Sequence, residues 1–295
     1  MKRIAGSFLL FTFLLACSGP KKPELDKLTE LQRGDIQELS EKLVKSINDF
    51  DFSVVNTSWD NQAFRSRIKG ITKTQSSVLN HLFDKDLKPS IKAANLSILY
   101  DVNTYKGKAT VLKLNHFDTH SELTMLLTFE ESFNFLKYRI EHVQSRPVLT
   151  DFYTFLDNTW LSQQIIKNLQ LSTKYTAFSQ ERRETNLALT SSNQHLSDGD
   201  TISALNYLNE IPQSHQTGNW LSLRKLDLAS TLGDSIYSSV LETEYEKNNS
   251  LYMQYLYALY YDDFAGLFKV YESLTGEIGE SKMVDSLLKS NSAWN

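Results

Sequence analysis

The spacing of apolar residues changes twice along this chain. From Asp35 to Asp51 they recur every three or four positions, at Ile36, Leu39, Leu43, Ile47 and Phe50, the period of a helix with one buried face. Asp35 precedes the run and Glu38 follows three residues later, so the pattern predicts a helix that starts there with Asp35 as its N-cap. A second helical stretch holds Val55, Trp59 and Phe64. A third, from Gln75 to Lys88, carries Val78, Leu82, Phe83 and Leu87 and ends at Pro89. The pattern then becomes strand-like. Strands are expected at Leu96–Tyr100, Thr110–Leu114, Leu123–Phe129, Phe133–Val143 and Val148–Phe155, with turns at Lys106-Gly107, Glu131-Ser132 and Ser145-Arg146-Pro147. The imperfect alternation from Phe133 to Ile140 predicts a sheet partly covered on both faces. The rest of the chain, as far as Leu288, has a helical pattern. This order predicts an α+β N-terminal domain, helices packed on a curved antiparallel sheet, followed by an all-α helical-repeat domain. The expected limits are residues 35–158 and 159–295.

A length of 295 residues suits two domains, and 41% hydrophobic with 22% charged residues is an ordinary globular composition. The formal charge of −4 supplies no basic stripe for a nucleic-acid partner. A single cysteine excludes an internal disulfide framework and a multi-thiolate metal site.

That cysteine has a telling position. Lys2 and Arg3 precede an apolar stretch from Ile4 to Ala16 that is interrupted only by Gly6, Ser7 and Thr12. As a helix it spans roughly 20 Å, short of the ~30 Å hydrocarbon core, which fits a cleaved export signal over residues 1–16. Leu14-Leu15-Ala16-Cys17 resembles the lipobox of bacterial lipoproteins, which implies lipidation of Cys17 and cleavage before it. The alternative is an ordinary signal with a chance cysteine. Several acyl chains make a stable membrane anchor. Ser18, where no aspartate stands, implies by the same resemblance the outer membrane, facing the periplasm. Residues 17–34, which open with Ser18-Gly19-Pro20-Lys21-Lys22-Pro23 after the cysteine, read as a polar tether.

Helices followed by a meander of long antiparallel strands resemble the cone-shaped nuclear-transport-factor-2-like and cystatin-like folds. The run from Pro147 to Ser162, with Asp151, the aromatics Phe152, Tyr153 and Phe155, and Leu161-Ser162 leading into a helix, resembles a group of bacterial exported proteins of unknown function. These join such a cone to helical repeats. In the second half, Gly199-Asp200-Thr201-Ile202 and Gly233-Asp234-Ser235-Ile236 lie 34 residues apart, the period of tetratricopeptide repeats. Ala204, Leu208 and Ile211 would form a packing stripe that Pro212 ends, and Asp262-Asp263-Phe264-Ala265-Gly266 opens a divergent third copy. A generic helical bundle with two chance Gly-Asp turns is the competing reading.

Candidates for chemistry are few. His116, Asp118 and His120 alternate as strand ligands for a metal would, yet Asp118-Thr119-His120 also reads as an exposed turn, and no metal or other cofactor is expected. Asp151 with His142 is a conceivable proton-transfer pair inside a cone, although Asp151 reads better as a turn or helix-cap residue. The chain contains no nucleophile elbow, phosphate-binding loop or His-Glu-x-x-His helix, so no catalytic residue is assigned and the expected protein is not an enzyme. Arg182-Arg183-Glu184 reads as a solvated helix face. Tyr252, Tyr255, Tyr257, Tyr260 and Tyr261 crowd ten residues. They serve either the core between repeats or, for Tyr252, Tyr255 and Tyr257, a partner-binding wall.

Three functions are compatible with this sequence. The first is a non-enzymatic envelope lipoprotein, held at the membrane by its N-terminal lipid, that binds a protein or peptide partner through its helical repeats. The second is a small-molecule carrier or sensor using the cone, whose cavity Asn134 and Thr128 would line. The third is an enzyme in the same pocket.

Overall fold

In the computed structural model of the chain, the residues described are 27–72, 88, 91, 92, 95, 100, 102–129, 133–166, 180–212 and 218–278. The export signal, Cys17, most of the helix expected at Gln75–Lys88 and the turn at Glu131-Ser132 lie outside them. Helices α1 (Glu30–Asn48), α2 (Ser53–Ser58) and α3 (Asn61–Thr72) precede strands β1 (Lys108–His116), β2 (Ser121–Thr128), β3 (Phe133–Val143), β4 (Arg146–Thr154) and β5 (Thr159–Trp160). Helices α4 (Gln180–Ser197), α5 (Thr201–Asn209), α6 (Trp220–Ser230), α7 (Asp234–Lys247), α8 (Leu251–Tyr260) and α9 (Phe264–Ile278) follow. The strands form one antiparallel sheet in the order β1-β2-β3-β4-β5. The architecture is therefore α+β followed by a helical region. Among the described residues, no helix is long and apolar enough to cross a membrane.

Helix α1 starts earlier than its apolar spacing implied. Thr29 is the N-cap, with its hydroxyl accepting from the Gln32 amide at 3.3 Å and the Gln32 side chain accepting from the Thr29 amide at 2.9 Å. Thr-x-x-Gln is as complete a capping box as Asp35-x-x-Glu38, and the Leu28 amide anchors the earlier start by donating to the Asp118 carbonyl at 2.6 Å. Asp35 lies inside the helix and faces His142 of β3, 3.2 Å away. The strand expected at Leu96–Tyr100 is also not found at its described end, because Tyr100 and residues 102–104 are helical. Ile91, Asn95 and Val102 are buried at helical spacing while Tyr100 stays exposed. At the β3–β4 turn, Gln144 and Ser145 take φ values of 49° and 63°, the two-residue hairpin geometry. Arg146 and Pro147 are therefore already paired, with Val143 and His142.

The sheet is covered on both faces. On one, Ile36, Leu39, Leu43 and Ile47 of α1 pack on Leu123, Met125, Leu136, Tyr138, Ile140, Leu149 and Phe152. Complete burial of a side chain such as Ile36 or Leu43 stabilises by roughly 1.5–3 kcal/mol. On the other, Leu126, Phe133, Phe135 and Phe155 pack on Tyr255, Ala258, Leu267, Val270 and Leu274 of α8 and α9. Alternation along β2 and β3 supplies both faces, and a β-bulge in β4 adjusts the register on that strand. Leu149 pairs with Ile140 and Asp151 with Arg139, which leaves Thr150 as the extra residue. The bulge breaks the two-residue alternation, so Leu149 and Phe152 reach the same core although an even number of residues separates them.

In the helical region α4 packs on α5, α6 on α7, and α8 on α9. Gly199 and Gly233 occupy the first two connections with φ of 79° and 106°, and Asp262 occupies the third with φ of 52°. Buried Asn219 ties this region to the sheet. Its amide donates to the Leu156 carbonyl, while its oxygen accepts from Asn248 and from Ser250, the N-cap of α8, both at 2.8 Å.

Candidate functional site

A cavity of about 390 Å³ opens between α2, the start of α3 and the helical residues 88, 91, 92 and 95. Its described lining is Val55, Asn56, Trp59, Asn61, Lys88, Ile91, Lys92 and Asn95. That volume lies within the usual range of ligand pockets, and the mixture of apolar wall and side-chain amides is their usual lining.

Local folding fixes each wall. Trp59 ends α2 in extended backbone and forms a parallel bridge with Leu149, next to the β4 bulge, and the Asp60 amide donates to the Leu149 carbonyl at 3.0 Å. The Asp60 carboxylate then caps α3, accepting from the Gln62 and Ala63 amides at 2.9 Å each. The indole of Trp59 is held by Phe64 and Phe152, at centroid distances of 5.4 and 6.0 Å. Its Nε1–H is buried without a hydrogen-bond partner, an uncommon state for a buried donor. Asn95 is positioned from below by the hydroxyl of fully buried Tyr138, which donates to its Oδ1 at 3.2 Å, while its own Nδ2 donates to the Ile91 carbonyl. Burial pushes the Tyr138 phenol well above its ordinary range, so it remains a neutral donor.

Beside this cavity lies a polar cluster around Asp151. Its buried carboxylate accepts from Arg67 Nε at 2.8 Å, from the Ser162 hydroxyl and amide, and from its neighbour Phe152 at 3.0 Å. Burial pushes this carboxyl up against the opposing pull of Ser162 and Arg67. Asp151 thus caps the helical segment 161–166 from a strand, a cap made across space and not at a turn. His142 is elsewhere, bonded to Asp35 and Gln32, so the two do not form a pair.

His116, Asp118 and His120 each turn to a different partner. His116 meets Ser121 at 2.8 Å, Asp118 meets Lys27 at 3.4 Å, and His120 stacks on Phe117 and lies 3.5 Å from Glu122. Asp118 and Thr119 form the bend between β1 and β2, which breaks the alternation that a strand site needs. Among the described residues, no group of three metal-ligating side chains comes together. Asn134 uses its side chain to accept from the Leu156 amide, and Thr128 bonds to the Lys108 carbonyl; neither lines the cavity.

The tyrosines of α8 are largely engaged within the protein. Tyr255 is buried against Phe133 at 5.2 Å, and Tyr252 is half-buried against Phe155 at 5.3 Å. Tyr257 is half-buried, stacked on Tyr245 at 4.2 Å and beside Tyr261 at 4.7 Å. Tyr260 and Tyr261 donate to Asp234 and Glu242 at 2.6 Å each. Arg183 and Glu184 are exposed. The cavity residues Trp59 and Asn95 were not singled out by sequence. The apolar spacing runs Val55, Trp59 and Phe64 together as one helical stretch, whereas the chain breaks at Trp59 between α2 and α3, and that break places the indole on the cavity wall.

No family model matches the chain, and no curated protein matches it. Among solved structures it is similar to the phospholipid-binding protein from Ralstonia solanacearum, at 12% identity and a TM-score of 0.32, over 46% of this chain and 81% of that one. At that TM-score the likeness assigns neither fold nor ligand.

Proposed function

We propose that this is a non-enzymatic, lipid-anchored binding protein of the bacterial envelope, in which the cavity beside Trp59 holds a small, partly apolar molecule. The observation that supports the site is the cavity itself: an apolar wall of Val55, Trp59 and Ile91 with three amides beside it. Its described lining holds neither a carboxylate nor an imidazole, which favours holding over acid–base chemistry. The anchor is proposed from the lipobox-like Leu14-Leu15-Ala16-Cys17. In this reading the helical region backs the sheet, and acylation at Cys17 keeps the cavity near the membrane surface.

Two experiments test the reading. Native mass spectrometry of the protein extracted from its envelope should show a small molecule bound in integral ratio, and Asn56→Trp, which fills the mouth, should abolish it. An unliganded parent that also binds nothing from an envelope extract defeats the carrier. Replacement of Cys17 by Ser should move the protein out of the membrane fraction; retention there defeats the anchor.

A second reading, docking of a protein or peptide segment on the helical region, is supported by Phe264 and Phe268. They are 46% and 59% exposed one turn apart on α9. Crosslinks from the full-length protein that vanish in a folded Phe268→Ser variant would favour it.

A further inference from the structure

We infer that the cavity beside Trp59 recognises an anionic head group, a carboxylate or a phosphate monoester, on a small amphiphile, with Lys88 and Lys92 as its counter-charges. This deepens the reading of the cavity as a ligand site and rests on it. Lys88 and Lys92 stand four residues apart in helical backbone, line the same cavity and are both exposed. Like charges on the lining of one cavity repel, and an anion between them relieves the repulsion. The described lining contributes these two cations and no acid. Of the described carboxylates, Asp60, which adjoins Trp59 and Asn61, is already occupied by the Gln62 and Ala63 amides, with Arg146 3.9 Å away.

Hydrogen-bond supply points the same way. Asn95 Oδ1, the acceptor at the base of the cavity, is taken by Tyr138. Among the described residues, the side chains of Asn56 and Asn61 have no protein partner, which leaves amide donors free at the rim. A cavity with surplus donors and positive charge selects a ligand rich in acceptors, and charged acceptors form the stronger bonds. Trp59, partly exposed on the cavity wall, supplies the surface for a short apolar tail.

Photo-crosslinking of the full-length protein in native envelope vesicles tests this, using three ten-carbon diazirine probes: the fatty acid, the alkyl phosphate and the neutral alcohol. The two anionic probes should label peptides carrying Trp59 or Ile91 at least fivefold more than the alcohol. Lys88→Glu with Lys92→Glu should reduce anionic labelling at least fivefold and leave the alcohol unchanged. These lysines are exposed, and circular dichroism checks the fold. The ratio of acid to phosphate labelling identifies which source of the anion is preferred. Equal labelling by all three probes, unaffected by charge reversal, overturns the head-group inference and leaves the cavity reading standing. No labelling at the cavity by any probe overturns both.

Discussion

The ring of Tyr255 meets that of Phe133 edge-on at 5.2 Å, and through this contact the helical region is docked on the sheet. Phe133 also touches Phe135 at 5.4 Å, and Phe155 carries Tyr252, so one aromatic cluster spans β3, the end of β4 and α8. Lys137 of β3 adds an ion pair to Glu277 of α9 at 3.2 Å. The aromatic contacts are buried and the ion pair is partly exposed, so the rings hold most of the docking energy.

Tyr255→Ala should therefore destabilise the protein by about 3 kcal/mol, the usual scale for emptying a buried aromatic site. The measurement is the midpoint of urea unfolding. If the midpoint did not move, the helical region would be held to the sheet by something other than this cluster.

Lys225 of α6 and Glu244 of α7 form an ion pair at 2.8 Å with side-chain exposures of 0% and 2%, and the Ser222 hydroxyl donates to the second carboxylate oxygen at 2.7 Å. Removing one member leaves a buried charge, so Lys225→Met should cost about 3–5 kcal/mol. The double variant Lys225→Met with Glu244→Leu should recover most of that loss, because well-packed apolar residues can replace such a pair. Calorimetric comparison of the singles with the double checks this; a double as unstable as the singles would contradict it.

The periodicity of apolar residues was sufficient for β3 and for the α+β order, and the recurring Gly-Asp pair was sufficient for the turns at Gly199 and Gly233, because each rests on a pattern within the sequence itself. The sheet's second covered face was visible in the imperfect alternation around Phe133, although what covers it was not. Tyr255 and Tyr252 pack on Phe133 and Phe155, about a hundred residues away in sequence. No local pattern reports such a contact. The bulge at Thr150 was hidden for a related reason: Leu149-Thr150-Asp151-Phe152 reads as an ordinary strand, and only pairing with Arg139 and Ile140 reveals the extra residue. The cavity depends on the second of these, since Trp59 is placed by its bridge to Leu149 beside that bulge. The N-cap moved from Asp35 to Thr29 because two capping boxes compete in this sequence, and a backbone bond to Asp118 anchors the earlier one.

Alkaline solution should weaken the fold through its buried phenols. Burial pushes Tyr252 up to about 12, with neighbouring Tyr255 and Tyr237 adding to the shift, and it pushes Tyr138 higher still. A group with a raised folded-state pKa contributes stability that is fully present below its unfolded value, near 10, and is lost as the pH rises through the folded value. The urea midpoint should therefore fall between pH 10 and 12, and Tyr252→Phe should make that fall shallower. A Phe variant with an unchanged pH profile would mean that Tyr252 ionises as freely in the folded protein as in the unfolded one.

Two glycines should respond to alanine in opposite directions. Gly233, before α7, has φ 106° and ψ 164°, a region that side chains other than glycine's avoid, so Gly233→Ala should cost about 1–3 kcal/mol even though nothing lies within 4 Å of the added Cβ. Gly34 sits exposed inside α1, also with nothing within 4 Å of an added Cβ, and its backbone is helical. Gly34→Ala restricts the unfolded chain at no steric cost and should stabilise by about 0.5–1 kcal/mol. Thermal unfolding of both variants beside the parent checks the pair. A stabilised Gly233→Ala would show that the α6–α7 turn relaxes out of its positive φ, while a destabilised Gly34→Ala would mean that this face of α1 meets a partner surface close enough to exclude a methyl group.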